Sequence, residues 1–163
     1  MKKPPFTRRF AAAAAIATVA VTGVAVQVAP ANASTVYWTF KNRQTGKCLT
    51  HGSSSVWATS CVSGADSQQW DWWPSNYDGS SLLRAKGTTL CLRTDRKSSK
   101  NAMWLSDCDA NAQGELFQYQ YSTQAFITSD YYYVTMDPDS SEGVYPESPT
   151  PSGFYSYWYG THT

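Results

Sequence analysis

The chain has 163 residues and a formal net charge of +1, from 13 lysines and arginines against 12 aspartates and glutamates. This length corresponds to a single domain, and so balanced a charge argues against a surface built to bind nucleic-acid phosphates. Tryptophan, tyrosine and phenylalanine make up 15% of the residues while aliphatic residues are scarce, so aromatic rings are expected to fill much of the core.

Residues 1–33 are predicted to be a signal peptide. Four basic residues precede a stretch rich in alanine, valine and threonine, and Ala31-Asn32-Ala33 has the small-x-small form that signal peptidase cleaves. An uncleaved membrane anchor and export by a twin-arginine route are the alternatives. Cleavage before Ser34 leaves about 130 residues with nine basic and 12 acidic side chains, a net charge of −3. We therefore expect a secreted, extracellular domain over residues 34–163, with no membrane and no nucleic-acid partner.

Four cysteines lie in the predicted mature part, namely Cys48, Cys61, Cys91 and Cys108. An even number in an exported chain predicts disulfides rather than free thiols. Three pairings are open, and the spacing favours two local loops, the first cysteine with the second and the third with the fourth. A zinc site is not predicted, because no C-x-x-C occurs and the two histidines are not at ligand spacing. No other metal or cofactor is predicted.

The cysteines also mark an internal repeat of about 40 residues. An aromatic residue follows the second cysteine of each pair by nine residues and another precedes it by four. A third copy without cysteines fits the same spacing. The four-before aromatics are Trp57, Trp104 and Tyr145, and the closing aromatics are Trp70, Phe117 and Trp158. The copies span approximately residues 34–75, 76–121 and 122–163.

Each copy is rich in Thr, Tyr, Trp, Val and Ser and is broken by turn residues, with no amphipathic helical period of useful length. This pattern is typical of short strands in an all-β closed structure. Three copies of several strands can close around a pseudo-threefold axis, and closure removes exposed strand edges.

The repeat resembles the ricin-type lectin repeat, a β-trefoil module. The first copy carries Cys48-Leu49, Cys61 and Gln68-Gln69-Trp70, and the second carries Cys91-Leu92, Cys108 and Glu115-Leu116-Phe117. The resemblance implies a β-trefoil with pseudo-threefold symmetry over residues 34–163. It also implies disulfides within the copies, in agreement with the spacing, and sugar binding in shallow pockets.

The residues that hold sugar in that family are replaced here. Its aspartate two residues after the first cysteine is replaced by Thr50, Arg93 and Thr135, and its stacking aromatic by Thr59, Ser106 and Glu147. Strand alternation predicts instead that Trp57, Trp104 and Tyr145 face outward and stack on a ligand, while the closing aromatics face the core. The predicted ligand contacts are therefore Trp57, Thr59, Thr50, Trp104, Ser106, Asp95 and Tyr145, with Asp137 nearby. The alternative interpretation is that these rings only cover the barrel.

No catalytic motif is present, and His51 is predicted to be a surface residue in a turn. We expect a secreted carbohydrate-binding, lectin-like module without catalytic activity, with a glycan or polysaccharide as partner. The alternatives are a protein-binding trefoil of the inhibitor or toxin-subunit type and a structural trefoil that has lost its sugar sites.

Overall fold

A computed structural model describes residues 35–95, 100–140, 142–147 and 153–162. The predicted signal peptide, its cleavage point at Ser34, and Pro149, which the repeat aligns with a second cysteine, lie outside these ranges. Among the described residues no helix is long and apolar enough to cross a membrane.

The described chain forms twelve short strands, four in each predicted copy. The first copy contains β1 (Trp38–Asn42), β2 (Lys47–His51), β3 (Val56–Ser60) and β4 (Trp70–Pro74). The second contains β5 (Ser81–Ala85), β6 (Leu90–Thr94), β7 (Met103–Asp107) and β8 (Phe117–Gln120). The third contains β9 (Ala125–Thr128), β10 (Tyr133–Met136), β11 (Val144–Glu147) and β12 (Trp158–His162). A short 3₁₀ turn precedes the last strand of each copy, at Asp66–Gln68, Gln113–Glu115 and Gly153–Ser156.

Six of the strands form a closed barrel and the other six form three hairpins. The barrel follows the order β1, β4, β5, β8, β9 and β12 through antiparallel pairing. It closes where β1 pairs with β12 along five residues and where a bridge joins Ala125 to Tyr157. The pairs β2–β3, β6–β7 and β10–β11 are the hairpins. This all-β arrangement is a β-trefoil, as the sequence predicts.

Hairpin register confirms the alignment of the three copies. Cys48 faces Thr59, Cys91 faces Ser106, and Tyr133 faces Glu147. The third copy, which carries no cysteine, thus has the same pairing as the two that do. Its repeat is structural even though almost none of the motif remains.

The closing aromatics meet in the core, as predicted. Trp70, Phe117 and Trp158 are fully buried. Both buried indoles donate a hydrogen bond to a hairpin carbonyl, Trp70 to Leu49 at 3.2 Å and Trp158 to Val134 at 2.7 Å. These bonds satisfy the only polar atom of each ring, so a large apolar surface is buried without an unpaired donor.

Backbone hydrogen bonds join neighbouring hairpins into a cap, and proline interrupts the threefold pattern. The backbone amide of Ala58 donates to the backbone carbonyl of Glu142, and that of Leu105 donates to the backbone carbonyl of Ser54, both at 2.9 Å. Pro146 occupies the equivalent position in the third copy and has no N–H to donate. Its carbonyl accepts from Lys100 instead, at 2.8 Å.

Two disulfides, Cys48–Cys61 and Cys91–Cys108, confirm the predicted pairing. Each ties its hairpin to the loop leading to the 3₁₀ turn, with sequence separations of 13 and 17 residues. Loops of this length correspond to about 3 kcal/mol of stabilisation each, mainly by restricting the unfolded chain.

Candidate functional site

Hairpin register brings together two positions that the sequence analysis singled out. The replaced aspartate lies directly across the hairpin from the predicted outward aromatic. Thr50 pairs with Trp57, Arg93 with Trp104, and Thr135 with Tyr145. The candidate site of each copy is therefore built across one hairpin.

A polar side chain two residues before the closing aromatic reaches the replaced aspartate position in every copy. In the first copy Gln68 donates to the Thr50 hydroxyl at 3.2 Å. In the third copy the hydroxyls of Thr135 and Ser156 lie 2.9 Å apart. The partner residues are buried, so these contacts satisfy polar groups inside the fold.

The second copy has a charged version of this contact. Glu115 is fully buried and accepts from the Arg93 guanidinium at 3.2 Å, from the Ser106 hydroxyl at 2.6 Å, and from the Asp109 amide at 2.8 Å. Three donors compensate the desolvated carboxylate. Ser106, which the sequence predicts to contact a ligand, uses its hydroxyl group to donate a hydrogen bond to Glu115.

Two predicted contact residues are buried, so the expectation that they face a ligand is wrong. Thr50 is 3% exposed and donates its hydroxyl to the Cys48 carbonyl at 2.8 Å. Tyr145 is 8% exposed, and its β11 neighbours Val144 and Pro146 are buried too, so both faces of the strand are covered at this point. Burial, followed by the nearby carboxylates of Glu147, Asp137 and Asp139, raises the pKa of Tyr145 to about 12.

The predicted contact residues of the first copy are less accessible than the sequence analysis expects. Trp57 is half-buried, and its ring packs over Gly52, where an added Cβ would lie 3.2 Å away. Thr59 is half-buried beside the first disulfide. In the third copy Asp137 caps its own turn, accepting from the Asp139 amide at 3.0 Å.

His51 is also placed differently from its prediction as a surface turn residue. It is the last residue of β2 and is 7% exposed. Its ring stands edge-on to Trp70 at 5.0 Å, and Nε2 lies 3.2 Å from the Asp66 carbonyl oxygen. Burial lowers the pKa of His51 below its ordinary value, with hydrogen bonds to backbone groups opposing the shift.

The second copy has a groove of about 540 Å³ beside its hairpin, which we call the second-copy groove. It brings together Trp104 and Asp95, two of the predicted contact residues. Trp104 is half-buried while its strand neighbours Met103 and Leu105 are buried, so strand alternation predicted its direction correctly. The lining residues are Tyr77, Arg93, Thr94, Asp95, Trp104, Asn111, Gln113 and Gly114.

A close backbone contact shapes the floor of this groove. An added Cβ on Gly114 would lie 2.2 Å from the Thr94 carbonyl oxygen, so only glycine allows the 3₁₀ turn to approach β6 this closely. Thr94 is 1% exposed, and its hydroxyl has no hydrogen-bond partner among the described residues. Thr94 pairs with the buried Met103 in the hairpin, so its side chain lies on the core side, opposite to Trp104.

Three polar or aromatic residues of the groove were not identified from the sequence. Tyr77 comes from the β4–β5 loop and is 41% exposed, while Asn111 and Gln113 come from the loop after β7. The Asn76 side chain donates to Asn111 at 2.8 Å and ties the two loops together. Asn111 and Gln113 are a sequence signal because their amides can bind a ligand. Loop residues, however, carry no strand periodicity that would show which way their side chains point.

Comparison with protein families identifies the fold's relatives. Residues 16–129 match the model of the cytolethal distending toxin A/C domain. The chain belongs to this family. No curated protein sequence matches the chain.

Solved structures agree on the fold of this A/C domain. A designed threefold-symmetric protein, ThreeFoil, superposes with a TM-score of 0.63 at 18% identity, covering 77% of this chain and 97% of its own. The cytolethal distending toxin of Actinobacillus actinomycetemcomitans has a TM-score of 0.63 at 15% identity, with coverages of 80% and 92%. That of Haemophilus ducreyi has a TM-score of 0.62 at 17% identity, with coverages of 82% and 86%.

Proposed function

We propose that this toxin A/C-type domain is secreted and binds carbohydrate, without catalysis, through the second-copy groove. The observation that carries the proposal is Trp104, a half-buried ring that lines a concave site beside polar residues. A sugar ring has an apolar C–H face and a rim of hydroxyl groups. An indole ring can stack on the apolar face, and carboxylate, amide and guanidinium groups can form hydrogen bonds with the hydroxyl groups.

The groove contains both hydrogen-bond acceptors and donors for hydroxyl groups. Asp95 offers a carboxylate, Asn111 and Gln113 offer amides, and Arg93 presents the part of its guanidinium that Glu115 does not use, with 39% of its side chain exposed. We infer a ricin-type location for the site, since it is built on the same repeat positions, with a different set of residues.

Replacing Trp104 tests the proposal directly. We expect Trp104→Ala to weaken glycan binding at least about tenfold, because the stacking surface is lost. A glycan array of the purified chain identifies the sugar, and calorimetry of wild type and variant measures the affinity. Thermal unfolding checks that the variant remains folded.

Trp57→Ala is the matched control, because Trp57 occupies the equivalent position in the first copy and packs over Gly52. Its affinity should equal that of the wild type. If Trp57→Ala loses binding while Trp104→Ala retains it, the site lies in the first copy, and the proposal that the second-copy groove binds the glycan is wrong. Absence of any retained glycan at about 1 mM would overturn the carbohydrate proposal as a whole.

Protein binding is the second candidate, favoured by an exposed aromatic cluster around Arg43. The guanidinium lies 4.7 Å from the ring centre of Phe154 and 5.8 Å from that of Tyr159. These rings are 53% and 42% exposed, an arrangement enriched at protein interfaces. A stoichiometric partner that copurifies with the wild type and is lost in Phe154→Ala would support this function.

A further inference from the structure

A second groove, of about 500 Å³, lies at the opposite end of the barrel from the hairpins, and we call it the barrel-end groove. Each hairpin follows the end of β1, β5 or β9, so residues at the starts of these strands lie at the other end. Trp38 and Ser81 begin β1 and β5, and Tyr121 directly follows β8. These residues place the barrel-end groove away from the hairpins. It shares no lining residue with the second-copy groove.

Five aromatic residues line this groove, and ring contacts fix their positions: Trp38, Trp72, Phe117, Tyr119 and Tyr121. Tyr119 meets Tyr121 edge-on at 5.1 Å, and Trp38 meets Tyr121 edge-on at 5.9 Å. Trp72 is held edge-on against the core ring of Phe40 at 5.9 Å. Each edge-on contact covers part of one ring face, and Trp38 also stacks on Phe40, but Tyr121 is 68% exposed and offers the accessible ring surface of the groove.

Hydrogen bonds fix the central ring. The Tyr119 hydroxyl donates to the Trp158 carbonyl at 2.7 Å and accepts from the Gly160 amide at 2.8 Å. Its ring also packs on Gly160, where an added Cβ would lie 3.0 Å away. A wall held in this way loses little conformational entropy when a ligand binds.

The polar lining of the barrel-end groove is uncharged among the described residues. It consists of the amides of Gln118 and Gln120 and the hydroxyl of Ser81. Gln118 donates to Ser80 at 3.2 Å, and Gln120 accepts from Thr123 at 3.1 Å. Each amide retains further donor and acceptor capacity toward the groove.

We propose that the barrel-end groove is a second carbohydrate site, which binds a neutral oligosaccharide. The ring faces match apolar sugar faces, and the amides match sugar hydroxyls. A purely apolar occupant would leave the remaining hydrogen-bonding capacity of the Gln118 and Gln120 amides unused, which is costly. A charged sugar would find no countercharge on the lining residues. The volume lies within the range of about 300–1,000 Å³ for ligand pockets.

The test is a nuclear magnetic resonance titration of the nitrogen-15-labelled chain with three neutral probes, cellotriose, maltotriose and lactose. We expect at least one probe to shift, in a saturable manner, the indole N–H signals of Trp38 and Trp72 and the Gln118 side-chain amide. Tyr121→Ala should weaken that binding about tenfold, as should Gln120→Ala to a smaller degree. Both residues are exposed, so neither substitution should unfold the protein.

Controls separate this site from the second-copy groove. Phe154→Ala removes another exposed ring, far from the lining of this groove, and should leave the affinity unchanged. Trp104→Ala should also leave these shifts unchanged, since the two grooves are distinct. Failure of all three probes to produce saturable shifts at about 10 mM, or an unchanged affinity in Tyr121→Ala, overturns the second site without affecting the first.

Discussion

The position two residues after the first cysteine is threonine in the first and third copies and arginine in the second, and its partner differs in every copy. Threonine contacts glutamine in the first copy, arginine contacts glutamate in the second, and threonine contacts serine in the third. In each case a buried polar group next to the closing aromatic is satisfied. These positions therefore support the fold in this chain, and in the second copy Arg93 also faces a groove.

The charged pair of the second copy should contribute more to stability than the neutral pair of the first. Arg93→Ala leaves the buried Glu115 carboxylate without its countercharge, and we expect a loss of about 3 kcal/mol in the free energy of unfolding. Thr50→Ala is the comparison, with a loss of about 1 kcal/mol, because Gln68 keeps its bond to the Ser60 carbonyl. Urea unfolding measures both, and equal losses would show that the charge of Glu115 is unimportant.

At the level of elements, the 3₁₀ turn Gln113–Glu115 positions one side of the second-copy groove. It supplies Gln113 to the lining and Glu115 to the buried ion pair, and its glycine contacts β6 through backbone atoms. The equivalent position in the first copy is Ser67, which carries a Cβ. The closer approach in the second copy is therefore a local property of one turn.

Gly114→Ala should disturb both stability and binding. The added Cβ would meet the Thr94 carbonyl at 2.2 Å, so the turn must shift, and we expect a loss of about 2–4 kcal/mol together with weaker glycan binding. Ser67→Ala should change the free energy of unfolding by no more than about 0.5 kcal/mol. Urea unfolding and calorimetry of the two variants provide the comparison. A Gly114→Ala variant with wild-type stability and affinity would show that the turn does not shape the groove.

For the molecule as a whole, buried His51 links stability to pH. Its folded-state pKa is below the ordinary value of about 6.5, so the unfolded chain binds the proton more readily. The free energy of unfolding should therefore fall as the pH decreases from about 7 toward 5, and become independent of this group at higher pH.

The His51→Gln variant should flatten that dependence, whereas His162→Gln, at an exposed position, should retain it. Thermal unfolding at several pH values measures the slope for each variant. A slope that is unchanged in His51→Gln would assign the pH dependence to other groups.

The sequence alone determined the architecture of this protein. Cysteine spacing and recurring aromatic residues were sufficient for the copies, the disulfides and the closing core rings Trp70, Phe117 and Trp158, because these features are local or periodic. Strand alternation also agrees with Trp104, which is half-buried between the buried Met103 and Leu105.

Only the tertiary structure decided which of the predicted contact residues are buried and which line a groove. Tyr145 and Thr50 follow the same repeat pattern, but contacts within the hairpins and between them bury both residues. The second-copy groove joins loops distant in sequence, and the barrel-end groove joins residues of β1, β4 and β8. Neither arrangement has a local sequence signal, since both depend on how the barrel closes.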